Sequence, residues 1–211
     1  MNGPEQGSAA WLAQRLGKVT ASRMADVCAK TKSGYGASRR NYLAQLVAER
    51  LSGTVQESYS NAAMVWGTET EPHAADAYSF RTGLDLEECG FFDHPTIPQA
   101  GASPDRLVGA DGLVEIKAPQ TATHIDTLLD GAPDNRYVLQ MDWQLACLPE
   151  RKWVDFVSFD PRLPERLRLF IHRHHRDNKR IAELETEVRG FLKELDGKIA
   201  ALNLVVLEKA A

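Results

Sequence analysis

The chain has 211 residues, 43% hydrophobic and 26% charged, and its 25 basic against 29 acidic side chains give a formal charge of −4 that, as a total, argues against a nucleic-acid partner. Such a chain can bury a core, which excludes disorder as its main state; it has no run near the roughly 20 apolar residues that cross a bilayer and no basic-then-apolar leader, so a soluble, intracellular protein is expected. Cys28, Cys89 and Cys147 are odd in number and widely spaced, which excludes a disulfide framework or a Cys-x-x-Cys site and predicts buried small side chains.

In chain order, Ser8 is placed to cap a short helix carrying Trp11, Leu12, Arg15 and Leu16 and ending at Gly17. Thr20 is placed to cap a second, through about Ala29. Lys30 to Ala37, basic and glycine-containing, reads as a mobile loop. Ser38 starts a third helix with Tyr42, Leu46, Val47 and Leu51 on one face, ended near Gly53. A fourth runs from about Asn61 to Thr82, with Gly83 as its stop and Pro72 as a bend or restart. From Leu84 the pattern changes to strands, among them Ala100 to Val108 and Leu113 to Lys117.

Two helices follow, Thr121 to Leu129 and Asn135 to Cys147, then a strand from Trp153 to Phe159. Arg166 to His174 reads as a strand with a basic face of Arg166, Arg168, His172 and His174. The last helix, from about Asp177, spaces Ile181, Leu184, Val188, Leu192, Leu195, Ile199 and Leu202 at three and four residues, as in a helix laid on its own sheet; a coiled-coil pairing also fits. This order predicts an α/β fold with a central mixed sheet flanked by helices. One domain is expected over 1–211, with a helical part at about 8–82, a sheet core at 84–175 and a closing helix at 177–202.

The charge is strongly segregated. Residues 1–50 carry 8 basic and 3 acidic side chains (+5), residues 51–150 carry 4 and 16 (−12), and residues 151–211 carry 13 and 10 (+3). Two readings stand: an unevenly charged solvated surface, or basic flanks that hold phosphates around a cation-binding carboxylate cluster. The second predicts that the basic residues of both flanks converge on one path.

Ser103-Pro104-Asp105 and Glu115-Ile116-Lys117 place two carboxylates and a lysine on neighbouring strands. Side chains alternate along a strand, so Glu115 and Lys117 share a face. Asp105 joins them only if the turn around Gly109 to Gly112 is odd in length or bulged; a regular two-residue turn would point it away. Converging carboxylates repel unless a cation neutralises them. Mg2+ suits such a set, taking oxygen ligands at about 2.1 Å and keeping several waters. The backbone carbonyl of Ile116 offers a further oxygen, and Lys117 could orient a water, help deprotonate it or stabilise charge on a phosphorane. An ordinary surface ion-pair cluster has the same residue types. His172, His174 and His175 lack a partner carboxylate motif and fit a phosphate-facing or exposed role better than zinc.

In ordered blocks from Gln6 to about Leu148 the chain resembles the phage lambda-type exonucleases of the PD-(D/E)xK nuclease superfamily. The blocks are Gln6-Gly7 with Trp11; Arg15-Leu16-Gly17 with Thr20-Ala21-Ser22; Trp66-Gly67 with Glu71; Ser103-Pro104-Asp105; Glu115-Ile116-Lys117; and Tyr137 with Gln140. Beyond them the likeness is one of character, as in Phe159-Asp160-Pro161-Arg162. The resemblance implies a restriction-endonuclease-like core in which Asp105, Glu115 and the Ile116 carbonyl hold the metal and Glu71, rather than Glu69, assists. It makes Lys117 the catalytic lysine with Gln140 over it, and Arg15, Ser22 and Ser103 a pocket for a terminal 5′-phosphate.

The resemblance implies a 5′-to-3′ exonuclease on linear double-stranded DNA, using Mg2+ or Mn2+, with two ions during catalysis. It further implies a ring-shaped homotrimer, a single-strand annealing partner and a place in the cytoplasm of a bacterial host. In and after the first basic loop, Lys30, Lys32, Arg39 and Arg40 are candidates for DNA-backbone contact, with Tyr35 and Tyr42 as base-stacking or wedge groups, although a tyrosine at the helical spacing of Tyr42 is more often core. The rival readings are an endonuclease on the same fold, which would cut closed circles, and a non-catalytic DNA-binding module, which retention of Asp105, Glu115 and Lys117 disfavours.

Overall fold

A computed structural model describes residues 3–32, 34–56 and 62–210, and the side chains within them except those of Met64 and 206–210. The first helix, α1 (Ala9–Arg15), is capped by Ser8, whose hydroxyl accepts the Trp11 N–H at 3.2 Å. Gly17 follows with φ +65°. Strand β1 (Val19–Thr20) leads into a single 3-10 turn and the one-turn helix α2 (Met24–Val27); the Thr20 side chain caps neither. The expected loop after Lys30 is a small hairpin of β2 (Lys30–Thr31) and β3 (Gly34–Tyr35). Helix α3 (Ala37–Ser52) begins after Gly36, not at Ser38, and stops at left-handed Gly53.

Helix α4 (Ala62–Thr82) is continuous through Pro72, so no restart occurs there. The start assigned to Asn61 lies outside the described residues. Next come β4 (Phe92–His94) and β5 (Ile97–Ala102), then β6 (Arg106–Val108) and β7 (Gly112–Lys117). The single strand expected over Ala100 to Val108 is therefore two. Pro104 has no N–H for a ladder, and at Ser103-Pro104-Asp105 the chain leaves one sheet for another.

The remaining elements are α5 (Thr121–Asp130), α6 (Asn135–Cys147), β8 (Trp153–Phe159), β9 (Leu169–His175) and α7 (Asn178–Ala210). Arg166 belongs to a 3-10 turn after Pro164, so the expected alternation from Arg166 starts three residues late. Asp177 caps α7, accepting the N–H groups of Lys179 and Arg180.

The main sheet has the order β6-β7-β8-β9, with β7 and β8 parallel and the other pairs antiparallel; a second sheet has the order β1-β5-β4. The architecture is mixed α/β, as expected. One face of the main sheet packs Val114, Ile116 and Val157 against Ala74, Ala75 and Tyr78 of α4. The other packs Leu113, Val154 and Phe156 against Met141 and Leu145 of α6, continuous with the apolar stripe of α7. Helix α7 lies against α3 and α6 rather than on a sheet, and its stripe is exposed by Leu202.

Candidate active site

The turn between β6 and β7 holds three residues, Gly109 to Asp111, with Gly109 at φ +49°. An odd turn keeps parity: Leu107 lies opposite Leu113 and Arg106 opposite Val114, which continues to Asp105 opposite Glu115. The Asp105 N–H donates to the Val114 carbonyl at 3.2 Å, and its Oδ2 accepts the Ile116 N–H at 2.6 Å. Asp105, Glu115 and Lys117 thus share the face turned towards α6.

Glu115 is fully buried. Its Oε1 accepts Gln140 Nε2 at 2.6 Å and pairs with the Lys117 ammonium, while its Oε2 accepts Gln144 Nε2. Gln144 was missed in the sequence, although it lies one turn after Gln140 and so on the same helix face. Burial, and then the charge of Glu115, push the Asp105 carboxyl well above the usual carboxylate range. Burial works against the Lys117 ammonium, but Glu115 and Asp105 outweigh it and hold that group above its ordinary value.

Two facing carboxylates, one with its ionised form disfavoured, and the Ile116 carbonyl form an all-oxygen donor set. Among the described residues no three His, Cys, Asp or Glu side chains converge on one position. The set fits a hard cation that retains much of its water, such as Mg2+, rather than a metal that needs a closed protein cage.

A cleft of about 690 Å3 opens over this hairpin, lined by Trp66, Glu71, Asp105, Lys117, Tyr137 and Arg162 among others. Glu71 projects into it and pairs with Arg106 at 2.9 Å, whereas Glu69 is exposed on the helix flank. A second cleft, about 420 Å3, is lined by Arg15, Ser22, Lys18 and Trp11. The Arg15 guanidinium lies 3.8 Å from the centre of the Trp11 ring, and burial lowers its pKa. It has no hydrogen-bond or ion-pair acceptor among the described residues. Ser103 is tied to this cleft because its Oγ accepts Trp11 Nε1 at 3.0 Å. A third cleft, also about 420 Å3, shares Trp11 with the Arg15 cleft and Thr68 and Glu71 with the cleft over the hairpin.

The candidates of the first basic loop do not gather there. Arg39 is buried, donates to the Val27 carbonyl at 3.1 Å and pairs with Glu194 at 3.0 Å, so it is a structural residue and not a DNA contact. Lys30 pairs with Glu187, and Arg50 with Asp196 at 2.9 Å. Three of the eight basic residues of the N-terminal flank thus pair with acids of α7, which the segment sums could not show. Lys32 and Arg40 are exposed, as is Tyr35, while Tyr42 is core. Nor is His174 exposed or phosphate-facing: it is buried against Asp142 at 2.6 Å, and Arg180 completes that cluster. His172 is half-buried and His175 exposed. None of the three cysteines is disulfide-bonded; Cys89 and Cys147 are buried and Cys28 partly so.

The fold and this cleft define an enzyme of the nuclease class. The chain belongs to the YqaJ-like viral recombinase domain family, whose sequence pattern matches residues 10–148. It is similar to the crystal structure of an alkaline exonuclease (LHK-Exo) from Laribacter hongkongensis, with 51% identity and a TM-score of 0.88 over 95% of this chain and 99% of that one. LHK-Exo in complex with dAMP gives a TM-score of 0.89 at the same identity and coverage. A phage related exonuclease from Haemophilus somnus 129PT is 17% identical, with a TM-score of 0.71 over 88% and 96% of the two chains, and shares the fold. Among curated proteins, no sequence matches the chain. No helix among the described residues is long and apolar enough to cross a membrane.

Proposed function

We propose that the chain is a Mg2+-dependent exonuclease of the PD-(D/E)xK type that digests one strand of linear double-stranded DNA from its 5′ end, releasing mononucleotides and leaving a 3′ single-stranded tail. The observation that carries this reading is the acceptor-free Arg15 guanidinium, linked through Trp11 and Ser103 to Asp105 two residues on. A terminal phosphate carries more charge than an internal diester, and an arginine fork with the Ser22 and Ser103 hydroxyls suits it. Such a pocket selects ends. The dAMP complex of LHK-Exo, a deoxynucleoside monophosphate on a relative, supports release of mononucleotides.

In this reading Asp105, Glu115 and the Ile116 carbonyl hold the cation, with Glu71 assisting. Bound Mg2+, or Mn2+ in its place, supplies Lewis-acid polarisation and an acidified water, with two ions during turnover. Lys117 offers its ammonium to the charge that grows on the phosphate oxygens. Gln140 and Gln144 hold the Glu115 carboxylate in one orientation. The reading includes one nuclease domain, a ring-shaped homotrimer that keeps DNA threaded, a single-strand annealing partner for the tail, and action in the cytoplasm of a bacterial host.

The test is digestion of linear duplexes with 5′-phosphate or 5′-hydroxyl ends, with and without Mg2+. Shortening of the 5′-phosphorylated strand in Mg2+ alone is expected, with slower loss from 5′-hydroxyl ends. Equal rates on both ends would remove the Arg15 pocket, and rapid cutting of a covalently closed circle would favour the endonuclease reading.

A further inference from the structure

Phe159-Asp160-Pro161-Arg162 has no role in the reading above. It leaves β8 at the end where β7 closes with Lys117, and the parallel pairing sets Lys117 beside Ser158. Asp160 is fully buried. Its Oδ1 accepts the Arg162 backbone N–H at 3.0 Å and Nε at 2.7 Å; its Oδ2 accepts Arg162 Nη2 at 2.9 Å and the Thr121 hydroxyl at 2.7 Å. Arg162 Nη2 also reaches the Pro119 carbonyl at 3.3 Å, two residues past Lys117. The Trp66 ring backs the guanidinium at 4.6 Å.

These bonds occupy Nε and Nη2. Nη1 has no acceptor among the described residues, and the side chain, 47% exposed, lines the cleft that holds Asp105 and Lys117. A buried carboxylate that fixes a half-exposed arginine by two N–H groups leaves a cation with its remaining donors aimed and its rotamer entropy already lost. Trp66 shields one face from water and strengthens what the other donors meet. The position matters as well. Thr68 and Glu71 line both the cleft over the hairpin and the one that shares Trp11 with the Arg15 cleft, whereas Arg162 stands with Lys117, Pro119 and Tyr137 in the hairpin cleft alone.

We propose that Arg162, fixed by Asp160 and backed by Trp66, is a phosphate-binding residue that grips the digested strand at the phosphodiester one nucleotide inward from the one being cut. The inference rests on the exonuclease reading and adds a second anchor to it. With Arg15 on the terminal phosphate and Arg162 on the next inward linkage, the scissile diester is held from both sides.

The test is single-turnover cleavage in Mg2+ of 5′-phosphorylated linear duplexes, either all-phosphate or with one neutral methylphosphonate between the second and third nucleotides. Wild type should lose about tenfold or more on the methylphosphonate, and Arg162→Gln a similar factor on the all-phosphate duplex. The two losses should not multiply, because both remove the same contact. A methylphosphonate between the eighth and ninth nucleotides should cost neither protein anything comparable. Since Arg162→Gln strips Asp160 of its partner, Arg162→Lys, which keeps the charge but loses the fork, carries the same cycle if the first variant does not fold. Multiplying losses, or a wild type indifferent to the inner methylphosphonate, would overturn the inference while leaving the exonuclease reading intact. A wild type that leaves the all-phosphate duplex whole would overturn both.

Discussion

Asp105 is the residue on which stability and activity pull in opposite directions. Its carboxyl faces Glu115, and burial together with that neighbour disfavours its charge. Asp105→Asn should therefore raise the stability of the metal-free protein, by about 1–2 kcal/mol in urea unfolding, because the amide oxygen can still accept the Ile116 N–H while the repulsion is gone. If Mg2+ is the metal, as proposed, the same variant should lose cleavage and show no gain in stability on adding Mg2+, where the wild type should show one. A variant less stable than wild type in EDTA would show that the two carboxylates are not in conflict. The sequence made Asp105, Glu115 and Lys117 legible because strand alternation and turn parity are local rules. It did not reveal Gln144, whose value lies in meeting the second oxygen of a carboxylate from another element. Arg39 and His174 were misread for the same reason: Val27, Glu194 and Asp142 come beside them only in the folded chain.

At the scale of elements, α1, α6 and β8 could be drawn closely from caps, spacing and alternation, as the Ser8 cap illustrates. Where the chain changes partner, those signals failed. Ala100 to Val108 is uniformly strand-like, yet Ile97–Ala102 pairs with β1 and β4 while Arg106–Val108 pairs with β7. Within β5, Gly101 lies opposite Asp93 of β4 and must be small. A Cβ there would stand 2.4 Å from the Phe92 carbonyl oxygen and 2.2 Å from Phe91 Cζ, and the carbonyl cannot move without disturbing β4. Gly101→Ala should cost about 1–3 kcal/mol in thermal or urea unfolding. Since β5 delivers Ser103 to its bond with Trp11, the variant should also weaken the proposed preference for 5′-phosphorylated ends. A stable variant with unchanged end preference would refute that coupling.

For the whole molecule, the net charge was a poor guide and its partition only a partial one. The N-terminal basic flank meets the acids of α7 at Lys30, Arg39 and Arg50, while Arg15 and Arg162, from opposite flanks, remain turned to clefts. Burial alone would raise the Asp160 carboxyl, but hydrogen bonds from Arg162 and Thr121 outweigh it and hold the group down to about 2. A depressed folded value gives stability that is complete above the ordinary carboxylate value near 4. That stability is lost as pH falls from there through about 2, a contribution on the order of 1–2 kcal/mol. Urea unfolding between pH 5 and pH 2 should show that slope, and Asp160→Asn should flatten it; an unchanged slope would remove the assignment.

The position of β7 bears on when cutting can begin. Glu115 and Lys117 lie on a strand held between β6, made before it, and β8, made after it, and Glu115 is buried only once α6 has supplied Gln140 and Gln144. Without β8, β7 keeps its pairing with β6 but presents its other side as an open edge. A chain that stops short of β8 carries every acidic residue of the site but lacks the strand with which β7 pairs in parallel. The topology thus predicts that a fragment ending before β8 does not digest DNA, which an assay of that fragment on a linear duplex would check.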